Sequence, residues 1–140
     1  MHKFSFRLQR LLNYRVMHEK WTKDAFLAAR ARRLEVEDEC SKIADMRESL
    51  LHSASNDLPA RIALESTLER LDDAQRAQET VIGILSDEEG RARDHWLKAK
   101  QEAEAIDKLR ESRLEEWQVE ATRAEQNELD DWSSARGHAS

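Results

Sequence analysis

Ser53-Ala54-Ser55-Asn56-Asp57-Leu58-Pro59 is the one obvious break in this chain. On either side of it apolar residues recur at spacings of three and four, the period of a helix face. No strand-length run of β-branched or aromatic residues occurs. With one proline and three glycines in 140 residues, nearly all of the chain can be helix. The break then reads as the turn of a hairpin. Asn56 or Asp57 can cap the second helix, and Pro59 fits its first turn. Two long helices joined by a turn enclose no deep pocket. They make a rod, and a rod works by touching other proteins along its faces and at its ends.

Composition agrees. Charged residues make up 37% of the chain and aromatics 6%, enough apolar surface for a narrow seam and too little for a thick core. The Ala, Glu, Lys, Leu and Arg bias, joined to helical spacing, points to a coiled coil. One domain over residues 1–140 is expected. A net charge of -6 argues against nucleic acid as a partner, because phosphate contacts need a basic face. Cys40, the only cysteine, fits a reducing compartment and reads as a small seam residue. Met1-His2-Lys3-Phe4 carries no apolar signal core, and no apolar run approaches a membrane span. A soluble protein without direct membrane insertion is expected.

The spacing predicts a first helix over about residues 6–51. Its stripe runs through Leu8, Leu11, Tyr14, His18, Trp21, Ala25 and Ala28, then Val36, Ile43, Met46 and Leu50, with a stutter through Arg32. At about 1.5 Å per residue this helix is roughly 70 Å long. The second seam runs through Leu64, Leu68, Leu71, Gln75, Gln78, Ile82, Leu85, Glu89, Ala92, Trp96, Ala99, Ala103 and Ile106. It continues through Arg110, Arg113, Trp117, Glu120 and Ala124. Because the second half is much longer than the first, a short helix is expected at the turn, within about 52–73. A second long helix over about 75–135 and a short flexible tail follow. In that register the first helix pairs with about residues 75–135, and Trp21 comes level with Trp117. Gly83 and Gly90, each costing a helix about 1 kcal/mol against Ala, mark a bend or a close approach of backbones.

Charge sets the direction of pairing. Between Met1 and Arg33 nine Lys or Arg residues stand against Glu19 and Asp24. Between Glu111 and Asp131 eight acids stand against Arg113 and Arg123. Both arrangements oppose the helix macrodipole. An antiparallel hairpin lets the two ends neutralise each other, as flanking charges do when they select orientation in coiled coils.

Catalytic chemistry is not indicated. The five histidines are scattered, and no two share the four-residue spacing that places a pair of ligands on one helix face. There is no Gly-rich phosphate loop and no nucleophile elbow. Glu115 and Glu116 point in different directions on a helix. No catalytic residue, cofactor or metal site is assigned, and the chain is read as a non-enzyme.

The ends carry the informative motifs. Phe6-x-Leu8-x-x-Leu11-Leu12-x-x-Arg15, with Arg7 and Arg10 interleaved, opens the chain. Lys108-Leu109-Arg110-x-x-Arg113-Leu114-Glu115-Glu116-Trp117 stands near its close, followed by Glu120, Arg123, Glu125-Gln126, Glu128-Leu129-Asp130-Asp131 and Trp132. In this order and separation the two motifs resemble the FliJ family of flagellar type III export proteins, over almost the whole chain. The resemblance implies an antiparallel two-helix coiled coil, similar to the central stalk subunit of rotary ATPases. It implies association with the hexameric flagellar export ATPase, whose assembly and activity the chain promotes, with the terminal end of the hairpin entering the ring. It implies a second contact with the export gate membrane protein, contacts with export chaperones, and a cytoplasmic location peripheral to the inner membrane. On this reading Arg7, Leu8, Arg10, Leu11, Arg15, Glu120, Arg123, Gln126 and Asp130 face the ATPase ring. Leu64, Leu68, Leu71 and Ala74, expected beyond the reach of the first helix, form an apolar stripe for the gate. The alternatives are the equivalent stalk of a virulence secretion system, an export-substrate chaperone and a generic coiled-coil scaffold.

Overall fold

The computed structural model describes residues 3–53 and 56–138; Ala54 and Ser55 of the expected turn lie outside them. Two helices make up the fold, α1 (Gln9–His52) and α2 (Leu58–His138), and no strand occurs among the described residues. They pack against each other as an all-α hairpin. Asp57 stands at the N-cap position of α2. The Asp57 carbonyl accepts the first helical bond, from the Arg61 amide at 2.9 Å, with Pro59 in the first turn, where its missing N–H costs nothing. At the other side of the turn the Ser53 hydroxyl donates to the Leu50 carbonyl at 3.0 Å, satisfying one of the orphan acceptors at the end of α1.

Both helix boundaries differ from expectation. α2 is unbroken from Leu58 to His138, so the residues expected as a separate short helix are its first turns. The residues expected as a tail are its last described turns. Gly83 and Gly90 lie within this continuous helix at negative φ.

The chain divides into two compact units. The first comprises residues 20–97 and includes the turn. In it the cross-helix contacts run in opposite senses on the two helices. Arg47 donates to Asp72 at 2.8 Å, Gln78 to Glu39 at 3.5 Å, Arg33 forks onto both carboxylate oxygens of Glu89, and Phe26 stacks on Trp96 with centroids 5.6 Å apart. That order defines an antiparallel pair. Ala29 is buried between the helices.

The second unit comprises residues 1–19 with 98–140. Its core is Leu12, Ala99 and Ala103, the alanines so small that the helices close over them; Ala99 is 2% exposed. Arg15 bridges to Glu102 at 2.7 Å, and Arg110 donates to Gln9 at 2.9 Å. Residues 3–8 are not helical, and α1 starts at Gln9, later than expected. This segment, which enters α1 through a turn at Arg7 and Leu8, lays Phe4 against Trp117 at 6.1 Å, with the Arg110 guanidinium 5.4 Å from the Phe4 ring centroid.

The seam of α1 corrects the sequence reading. Tyr14, Trp21 and Met46 are exposed, Trp21 to 56%, as are Ala25, Ala28 and Arg32. The inward positions of α1 instead follow Leu12, Arg15, Glu19, Thr22, Phe26, Ala29, Arg33, Val36, Cys40, Ile43, Arg47 and Leu50. Steps of three and four alternate along this line without the stutter. An apolar-only reading skips the three seam arginines and slips one residue onto Tyr14 and Trp21. Arginine is tolerated there because each guanidinium finds an acid on α2. Trp117 accordingly meets Phe4, not Trp21. The α2 seam follows expectation as far as Arg110 and then shifts to Leu114, Trp117 and Ala121, leaving Arg113, Glu120 and Ala124 exposed.

Candidate functional site

The unit of residues 1–19 and 98–140 carries a groove of about 400 Å³, built where the non-helical N-terminal segment meets α2. Phe4, Phe6 and Leu8 supply one wall, and Leu109 and Trp117 the apolar part of the other. Arg7, Arg113, Glu116 and Glu120 stand around it. Arg113 reaches Glu116 at 3.3 Å, an exposed pair that contributes little to stability and stays available to a partner. An apolar trough rimmed by both signs of charge suits a protein segment.

Of the residues expected at the ATPase ring, the groove gathers Arg7, Leu8 and Glu120. Arg123 and Gln126 lie along a more open face of α2 with Glu115, Gln118, Val119, Thr122 and Asn127. Asp130 accepts from Gln126 at 3.5 Å. Arg10 is exposed, whereas Leu11 is half-buried. Arg15 is held by Glu102 across the helix pair. Beyond Ala121 every described α2 residue is exposed, so the helix runs on without a partner. The sequence reading missed Phe4, Phe6, Arg113, Glu116 and Trp117 as site residues. The signal was the period-two spacing of Phe4, Phe6 and Leu8, the mark of an extended segment with one face covered.

The expected gate stripe is placed differently. Leu64, Leu68, Leu71 and Ala74 are half-buried seam positions, and α1 reaches at least to Asp72 through Arg47. The premise that they lie beyond the first helix is therefore corrected for Leu71 and Ala74, which neighbour Asp72. The apolar residues left exposed at this end are Leu58 and Ile62.

The most perturbed titration is in the seam. The fork from Arg33 holds the Glu89 carboxyl below its ordinary range, against the opposing pull of partial desolvation. The same bond, with a second from Glu37, raises the already high proton affinity of Arg33. This pair ties the two helices together, with both Glu89 carboxylate oxygens taken by Arg33. Among the described residues no group of three or more His, Cys, Asp or Glu side chains is placed to hold a metal, and no helix is long and apolar enough to cross a membrane.

The fold is an all-α helical hairpin of coiled-coil type, with a groove between its N-terminal segment and residues 109–120 of α2. Residues 4–140 match the family model described as Flagellar FliJ protein. The chain belongs to the FliJ family, and so to the non-catalytic components of flagellar protein export. No curated relative and no solved structure matches it.

Proposed function

We propose that the chain is a stalk-like partner of the hexameric flagellar export ATPase, promoting its assembly and activity and coupling it to the export gate. The observation that carries this reading is the terminal groove. The N-terminal segment and residues 109–120 of α2 both contribute to it, its walls carry Phe4, Phe6, Leu8, Leu109 and Trp117, and Arg7, Arg113, Glu116 and Glu120 around it give polar contacts that can be exchanged between equivalent subunits of a ring. The unpartnered turns beyond Ala121 extend this surface with Arg123, Gln126 and Asp130. Contact with the gate falls to the turn end, where Leu58 and Ile62 are exposed beside the half-buried stripe of Leu64, Leu68, Leu71 and Ala74. Export chaperones are further partners, and the location is cytoplasmic, peripheral to the inner membrane.

The test is ATP hydrolysis by the cognate ATPase with wild-type chain and with Arg7→Glu/Glu120→Arg, both exposed positions whose change leaves the helices intact. Loss of stimulation with unchanged helix content supports the groove as the contact. Full stimulation by the variant contradicts it.

A further inference from the structure

Residues 20–97 carry a second surface, unrelated to the terminal groove. In an antiparallel pair the residue following each seam position turns to the same side on both helices. Leu27 follows Phe26 and Leu97 follows Trp96, so these leucines flank the Phe26–Trp96 stack. Leu34 follows Arg33 and Gly90 follows Glu89, so they flank the Arg33–Glu89 fork. Leu27, Leu34 and Leu97 are all exposed. A Cβ built on Gly90 would meet nothing within 4 Å, so the bare backbone serves no contact inside the chain and leaves an open trough between the leucines.

Within residues 20–34 and 83–97 the charged flanking positions, Lys20, Lys23, Arg30 and Arg93, have one sign. The next flanking position of α1 is Glu37, which follows Val36 and is bound by Arg33 at 2.9 Å. Lys23 lies 5.9 Å from the Trp96 ring centroid, and Arg30 and Arg93 follow the seam residues Ala29 and Ala92 on the two helices. Glu89 itself is taken by Arg33, so the remaining cations keep their field. The complementary surface is on the same chain. Past Ala121, α2 has no helix against it, and Glu125, Leu129 and Trp132 step by four and three along one face beside Glu128. Leu129 and Trp132 are each 59% exposed.

We propose that the basic, leucine-lined side of residues 20–34 and 83–97 is the docking surface for the acidic C-terminal turns of a second copy of this chain. Leu129 and Trp132 enter the trough beside Gly90, and Glu125 and Glu128 face Arg30 and Arg93. Each copy offers both surfaces. Association occupies the acidic turns that also extend the terminal groove, so the self-associated chain and the ATPase-bound chain exclude each other.

Sedimentation velocity of the full chain tests this. At low ionic strength the wild type is expected to show a concentration-dependent dimer that dissociates at high salt, as charge-steered contacts do. Arg30→Glu/Arg93→Glu and Glu125→Lys/Glu128→Lys, all at exposed positions, are each expected to be monomeric with unchanged helix content. Mixed together, the two variants are expected to form a heterodimer, because both contacts regain opposite charges. A wild type that stays monomeric at low salt overturns the proposal. Self-association that survives Arg30→Glu/Arg93→Glu, or a mixture that fails to pair, overturns it equally.

Discussion

Replacing Gly83 and Gly90 by alanine should stabilise the hairpin. Both lie inside α2, at negative φ, and an added Cβ meets no atom within 4 Å at either site. No steric term therefore opposes the gain in helix propensity and the reduced freedom of the unfolded chain, about 0.5–1 kcal/mol per site. The two sites are seven residues apart, about 10 Å along the helix, far enough for their effects to add within a few tenths of a kcal/mol. The double variant should gain roughly 1–2 kcal/mol, which for a chain of this length raises the melting midpoint by roughly 3–8 °C. Thermal melts followed by circular dichroism read this directly. They are made at high salt, where the basic side beside Gly90 is free of a second copy. A midpoint that falls would refute the reasoning. It would mean that α2 needs glycine at these positions for a bend or a close approach absent from the open surface described above.

Other outcomes follow from the packing. Ala99→Leu should destabilise by about 1–3 kcal/mol through overpacking, since Ala99 is 2% exposed between the helices; a neutral urea midpoint would contradict so close an approach. Phe4→Ala should cost about 1–2 kcal/mol, less than for a fully buried ring, and urea melts should show the loss. Glu89 titrates lower in the folded chain than in the unfolded one. Its contribution is therefore complete above the ordinary glutamate range and fades as pH falls through that range toward its depressed folded value. Glu89→Gln should weaken the hairpin at neutral pH and flatten this acid limb, measured as melting midpoint against pH; an unchanged slope would contradict the linkage.

The fold was legible because its signals were redundant: the turn residues 53–59, the capping pair Asp57 and Pro59, and a regular α2 seam of Leu, Ala and Trp. The α1 seam was harder to read because Arg15, Arg33 and Arg47 occupy inward positions that hydropathy assigns to solvent. Their fitness depends on Glu102, Glu89 and Asp72 on the other helix, a long-range fact that local spacing does not carry. The same slip hid the continuity of the heptads and made Trp21 look like core. At the terminal end the two motifs supply most of the residues that line the groove. The groove itself depends on residues 3–8 leaving the helix, which the alternation of Phe4, Phe6 and Leu8 signalled weakly. The gate stripe was misplaced because the register determines how much of α2 the end of α1 covers.

The most direct test of the stalk reading is the rate of ATP hydrolysis by the cognate export ATPase as this chain is added at substoichiometric amounts. Stimulation that saturates near one chain per ATPase hexamer, accompanied by ring assembly and lost with Arg7→Glu/Glu120→Arg, is the predicted result. No stimulation and no co-migration, with both proteins folded, would contradict the account.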